Sequence, residues 1–116
     1  MSNRSQYYIL SEGNPLPCDE QTWVLWFSKH YEERICERTK IGEIIVLTMF
    51  LGLDHNSNPN DQFPLIFETI IFGGEHDQAM WYDSTLEQAR ARHTEACQLV
   101  ISGVKGREHL RIQQQD

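Results

Sequence analysis

The chain reads as an α+β domain, an antiparallel β-meander of four to five strands with two helices packed on one face. Three observations predict this. Runs of β-branched and aromatic residues, each of strand length, recur between residues 35 and 82 and are separated by turn-forming residues. Two other stretches, at 20–33 and from residue 84 onward, carry apolar residues at helical spacing. The links between successive strands are too short for crossover helices, so neighbours in sequence pair antiparallel.

The elements follow in order. Residues 6–10 (QYYIL) form a short strand, and residues 11–17, with Gly13, Pro15 and Pro17, form a turn-rich connection. Asp19 is a good N-cap and Glu20 suits the positive end of a helix dipole, so a helix spans 20–33. Trp23, Trp26, Phe27 and His30 make one apolar stripe along it, with Tyr31 and Arg34 at its margin. Residues 35–39 alternate as a short or edge strand, and 40–43 make a tight turn. The near-continuous apolar run at 43–53 reads as a central, well-covered strand. A polar loop follows at 54–63, then strands at 64–72 and 79–82 around a turn at Gly73-Gly74. Ser84 with Glu87 forms a capping box for the last helix, and Gly103 is its expected C-cap. Leu86, Ala89, His93, Cys97 and Val100, with Ala96, line one face of that helix. The order is β-α-β-β-β-β-α, a single domain over 1–105 with a flexible polar tail at 106–116.

A length of 116 residues, with 40% hydrophobic and 23% charged residues, suits one two-layer core. Seventeen acidic against ten basic residues give a net charge of −7. That balance argues against direct nucleic-acid contact through phosphates and against docking on anionic membranes. It permits a basic protein partner. No run of 18 apolar residues is present, and residues 1–6 lack a signal-peptide core, so a cytoplasmic protein is expected. Cys18, Cys36 and Cys97 are widely spaced and odd in number, which indicates reduced thiols without a zinc or disulfide pattern. Cys97 is expected to be buried. Helices on one sheet face leave the other face carrying aromatic and aliphatic side chains. Phe50, Phe63, Phe67, Phe72 and Trp81 lie in or beside the strands, so a homodimer through the sheet is one way to cover it.

The polar residues that composition does not explain are Asp54, His55, Glu68 and His93. Asp54 either caps the turn leaving its strand or pairs with His55 as an acid–base or metal half-site. Glu68 sits between apolar neighbours on the strand face shared with Ile66, Ile70 and Phe72. It is therefore paired, exposed or functional, with Arg34 and Arg38 as candidate partners. His93 reads first as a hydrogen-bonded core residue on the apolar helix face. If it met His55 and Glu68, the three would form a two-His, one-carboxylate metal set. The short spacings that mark such sites are missing, so neither a metal nor a cofactor is expected, and no catalytic residue is assigned. Gly73-Gly74 lacks the pattern of a phosphate loop.

Several segments together resemble a family of small phage and prophage proteins of unassigned activity. They are FLGLDH at 50–55, the LxFETxxFGG run at 65–74, and residues 81–89 with His93. The family shows FLGLDH, LxFETxxFGG and YxTxxEAxxGH in this order, and the helix around 23–27 and Thr39-x-x-Gly42 also fit. The resemblance spans roughly residues 15–100. This chain departs at Arg92, where the family has a small Gly before His93, which puts tight packing at that turn in doubt. The resemblance implies a phage-encoded accessory protein and transfers no catalytic residue.

Two functions are expected on these grounds. The first is a binding protein that occupies a host protein or complex, in its concrete form an anti-CRISPR-like inhibitor of a host defence effector. The alternative is a small-ligand or nucleotide-sequestering protein, or a metal-assisted hydrolase, using Asp54, His55, Glu68 and His93.

Overall fold

Strict alternation along one strand divides the molecule into two sides. In the computed structural model, which describes residues 4–104 in full and only the backbone of one helix beyond them, Ile44 to Phe50 alternates buried and half-buried at every step. This central strand, β4 (Ile44–Phe50), pairs antiparallel with β3 (Ile35–Ile41) on one flank and β5 (Phe67–Phe72) on the other. β6 (Met80–Asp83) completes a four-stranded sheet in the order β3-β4-β5-β6.

The long helix α3 (Leu86–Gln115) lies across all four strands on one face. Val46, Phe50 and Ile71 on that face have no exposed surface, and Ala89, Ala96 and Val100 close on them from α3. Each large side chain buried this way contributes about 1.5–3 kcal/mol. The opposite face, the open face below, is covered by no helix among the described residues. No helix among the described residues is long and apolar enough to cross a membrane.

The predicted α+β class and antiparallel meander hold, and the arrangement around them differs. β1 (Tyr7–Ser11) pairs with β2 (Asn14–Cys18) as a separate two-stranded hairpin. Pro15 and Pro17 read as a turn in the sequence. In a two-stranded ribbon their missing N–H groups can point away from the partner, so strand structure survives. The predicted first helix breaks at His30 (φ −119°, ψ 44°) into α1 (Glu20–Lys29) and the single turn α2 (Tyr31–Arg34). The order is therefore β-β-α-α-β-β-β-β-α. Only α3 packs broadly on the sheet. α1 packs on β1 and meets the sheet side through Trp26, whose ring sits edge-on to Phe50 at 5.8 Å.

Both ends predicted for the last helix shift. Thr85, not Ser84, caps it: Gln88 N–H donates to Thr85 Oγ1 (3.1 Å), and Gln88 Oε1 accepts from the backbone N–H groups of Ser84 (3.0 Å) and Thr85 (3.3 Å). Gly103 does not end the helix, which continues past it. Its missing side chain admits Glu75 instead, since a Cβ there would stand 3.3 Å from Glu75 Oε2. The expected tail at 106–116 lies outside the fully described residues.

Along β3, Glu37, Arg38 and Lys40 are exposed, and a register irregularity falls between Ile35 and Glu37. Arg38 and Lys40 share the open face, while Glu37 and Thr39 share the α3 face.

Candidate functional site

Asp54 stands where β4 hands the chain to the 54–66 loop. Gly52, at φ +68°, turns the backbone beneath β1, so that Tyr8 N–H donates to Gly52 O (2.7 Å) and Asp54 N–H to Gln6 O (2.9 Å). The Asp54 carboxylate then ties the loop at both ends: Oδ1 accepts from the N–H of Asn56 (2.8 Å) and of Leu65 (3.0 Å). Oδ2 pairs with the Arg4 guanidinium, which also donates to the carbonyls of Asn56 and Asp61. Asp54 is 8% exposed, and this arrangement uses its carboxylate as a backbone clamp.

His55, next in sequence, points elsewhere. Its ring stacks on Tyr82 with centroids 4.6 Å apart and planes 11° apart. Tyr82 is the register partner of Glu68, which in turn faces Met49. Burial first, and then the charge and hydrogen bonding of Glu68, push the Tyr82 phenol above its ordinary pKa. His55, Tyr82 and Glu68 thus form one polar corner of the open face. Arg34 does not reach Glu68; its guanidinium lies 3.5 Å over the Phe27 ring, and Ile66 turns into the core at 1% exposure. Tyr82 was recognisable in principle, because alternation from Asp83 puts it on the side of Glu68.

His93 lies on the other side of the sheet, 1% exposed between α3 and the strands. Its Nδ1 is 2.7 Å from Thr48 Oγ1, its Nε2 is 2.8 Å from Thr39 Oγ1, and Thr48 and Thr69 hydroxyls are 2.8 Å apart. Glu37 Oε2 stands 3.2 Å from Nε2. A carboxylate offers only acceptors there, so Nε2 carries the ring proton and Nδ1 accepts from Thr48. Burial holds the imidazole below its ordinary pKa, and Glu37 opposes that shift. The core-histidine reading therefore describes the environment of His93.

The four sequence candidates separate accordingly. His55 and Glu68 come together on the open face, Asp54 clamps the loop beside them, and His93 lies across the sheet. Among the described residues no group of three or more His, Cys, Asp or Glu side chains is placed to hold a metal ion. A groove of about 540 Å³ runs past the β6 edge, lined among others by Phe63, Tyr82, Ser84 and Arg92. Arg92 does not crowd the helix start. It reaches outward to Asp83 (3.3 and 3.4 Å) and Glu95 (3.4 Å).

No family model, curated protein or solved structure matches this chain.

The open face carries a run of apolar side chains that no helix among the described residues covers. Ile45, Leu47 and Met49 from β4 are half-buried, as is Ile70 from β5, while Phe72 and Met80 are 44% and 45% exposed. Phe50, Phe67 and Trp81 belong to the α3 face instead, so the aromatic share of the open face is Phe72 and Tyr82. Phe63 is exposed in the loop. Cys97 is half-buried rather than buried.

Proposed function

We propose that this chain acts by binding another protein through the open face of its sheet. The observation that carries this reading is the uncovered apolar surface formed by Ile45, Leu47, Met49, Ile70, Phe72 and Met80. A monomer gains nothing from exposing a contiguous patch of this kind, and such patches mark interaction surfaces. The polar corner of His55, Tyr82 and Glu68 supplies orientation at one end of the patch.

In its concrete form the chain is a phage accessory factor that occupies a host complex, such as a CRISPR effector, and blocks it. The resemblance of its segments to small phage proteins supports this. So does the net charge of −7, which favours encounter with a basic, nucleic-acid-binding surface.

A photo-crosslinking residue at position 47, in the tagged full chain expressed in its host, tests the reading. The expected result is a discrete covalent adduct with a polypeptide, with none from a control at exposed Thr94 on α3. Irradiation that yields no protein adduct at position 47 would refute it.

A further inference from the structure

The open face has a charge pattern that selects its own partner. Three rows of side chains cross it. The first holds Met49, Glu68 and Tyr82; the second Arg38, Leu47, Ile70 and Met80; the third Lys40, Ile45 and Phe72. The centre is apolar. Positive charge lies along β3, and negative charge lies toward the opposite flank, at Glu68 on β5 and Asp77 in the exposed β5–β6 turn.

Resting on the reading of this face as a protein-binding surface, we infer that a second copy of the chain occupies it whenever the target protein does not, packed sheet to sheet about a two-fold axis parallel to the strands. That axis lays β3 of one copy over β6 of the other and β4 over β5. Arg38 then approaches the partner copy's Glu68, one strand over and one row along. Lys40 sits over the turn that carries Asp77. The alternative two-fold, perpendicular to the strands, stacks β3 on β3 and brings the Arg38 and Lys40 edge of one copy against the same basic edge of the other. Like charges so placed repel, which disfavours that orientation. Aligned sheets stack about 10 Å apart, a gap that Leu, Ile, Met and Phe side chains from both faces fill.

The size of the face limits how tightly the pair can hold. Four strands span about 15 Å between outer axes, and six residues run about 20 Å along them. Each face is therefore about 300 Å² in outline and the pair about 600 Å², below the usual size of a stable specific interface and in the range of weak association. An interface of that size, apolar at its centre and without a large anchor, gives a dimer on the order of micromolar in Kd.

Sedimentation equilibrium of the purified full chain across a concentration series tests the inference. Wild type is expected to move from one chain mass to two. Leu47→Glu, with its folding checked by circular dichroism, is expected to remain a monomer. Arg38→Glu and Glu68→Arg are exposed or half-exposed changes that spare the core. Each is expected to weaken the dimer roughly fivefold, and the double variant to recover it. A wild-type chain that stays monomeric at 100-fold above the expected Kd, while position 47 still crosslinks to another protein, would overturn the second copy and leave the binding face standing. A dimer that Leu47→Glu does not weaken would overturn the second copy on this face, and the absence of any crosslink at position 47 would overturn the binding face itself. Single charge reversals that weaken the dimer without recovery in the double variant would overturn the proposed axis.

Discussion

Nδ1 of His93 and Oγ1 of Thr48 meet 2.7 Å apart at a point that solvent does not reach. This contact fixes the rotation of α3 over the sheet. Its buried neighbours one turn away along the helix, Ala89 and Ala96, are small and apolar and slide easily over apolar side chains. The imidazole, bonded on one side to β4 through Thr48 and on the other to β3 through Thr39, does not. Replacing His93 with Leu is expected to leave the buried Thr48 hydroxyl and the half-buried Thr39 hydroxyl without their ring partner and to cost about 1–3 kcal/mol. Urea denaturation measures it.

The same residue makes stability depend on pH. Burial depresses the folded-state pKa of His93 below the ordinary 6.5, so the folded chain holds the neutral ring while the unfolded chain protonates near 6.5. The stabilisation is present above that value and is lost as pH falls through it toward the folded pKa. The melting temperature is expected to drop between pH 7.5 and pH 5. In His93→Gln the decline over that window should be shallower. An unchanged slope in the variant would assign the effect to other groups.

Gly52 tolerates no side chain. A Cβ there would stand 2.2 Å from Tyr8 O and 2.8 Å from Trp23 Nε1, at a φ of +68°. Gly52→Ala is expected to lose about 3 kcal/mol or more, since both overpacking and backbone strain oppose it. A shift in denaturation midpoint of less than a third of that would show that β1 and α1 can move aside.

Asp54 and Arg4 should behave as a unit. Removing either takes the opposite charge away from a mostly buried group, so Asp54→Ala and Arg4→Ala are each expected to cost about 3 kcal/mol. The double variant should cost clearly less than the sum. Additive losses would mean that each residue works through its backbone contacts alone.

Cys36 should be slow to alkylate. Burial raises its thiol to about 11. At pH 8 the thiolate fraction is then about a thousandth, against about a quarter for a free thiol. Iodoacetamide labelling read by mass spectrometry is expected to be more than 100-fold slower in the folded chain than in urea.

Much of this fold is legible where one residue's surroundings are set by its own element. The alternation from Ile44 to Phe50 and the helical spacing from Leu86 to Val100 each report a face directly. The misses are places where a distant partner decides. Pro15 and Pro17 become strand residues because Leu10 and Tyr8 lie opposite them. Gly103 looks like a cap until Glu75 approaches it from another turn. The candidate residues divide in the same way. Spacing on α3 puts His93 on the buried side, but nothing local tells Asp54 that Arg4 lies beside it, or His55 that Tyr82 offers its ring.

The charged border of β3 has a consequence for how this protein grows into assemblies. A β-sheet normally extends sideways, each free strand templating the next, and that route leads to fibres. Here the free strand carries the charged, exposed Glu37, Arg38 and Lys40 and loses register beside Ile35, while the other border strand is only four residues long. Lateral addition is obstructed on both sides, which works against polymerisation of a chain that displays an apolar face this broad. Any association it enters is steered into closed pairs, not open-ended ones.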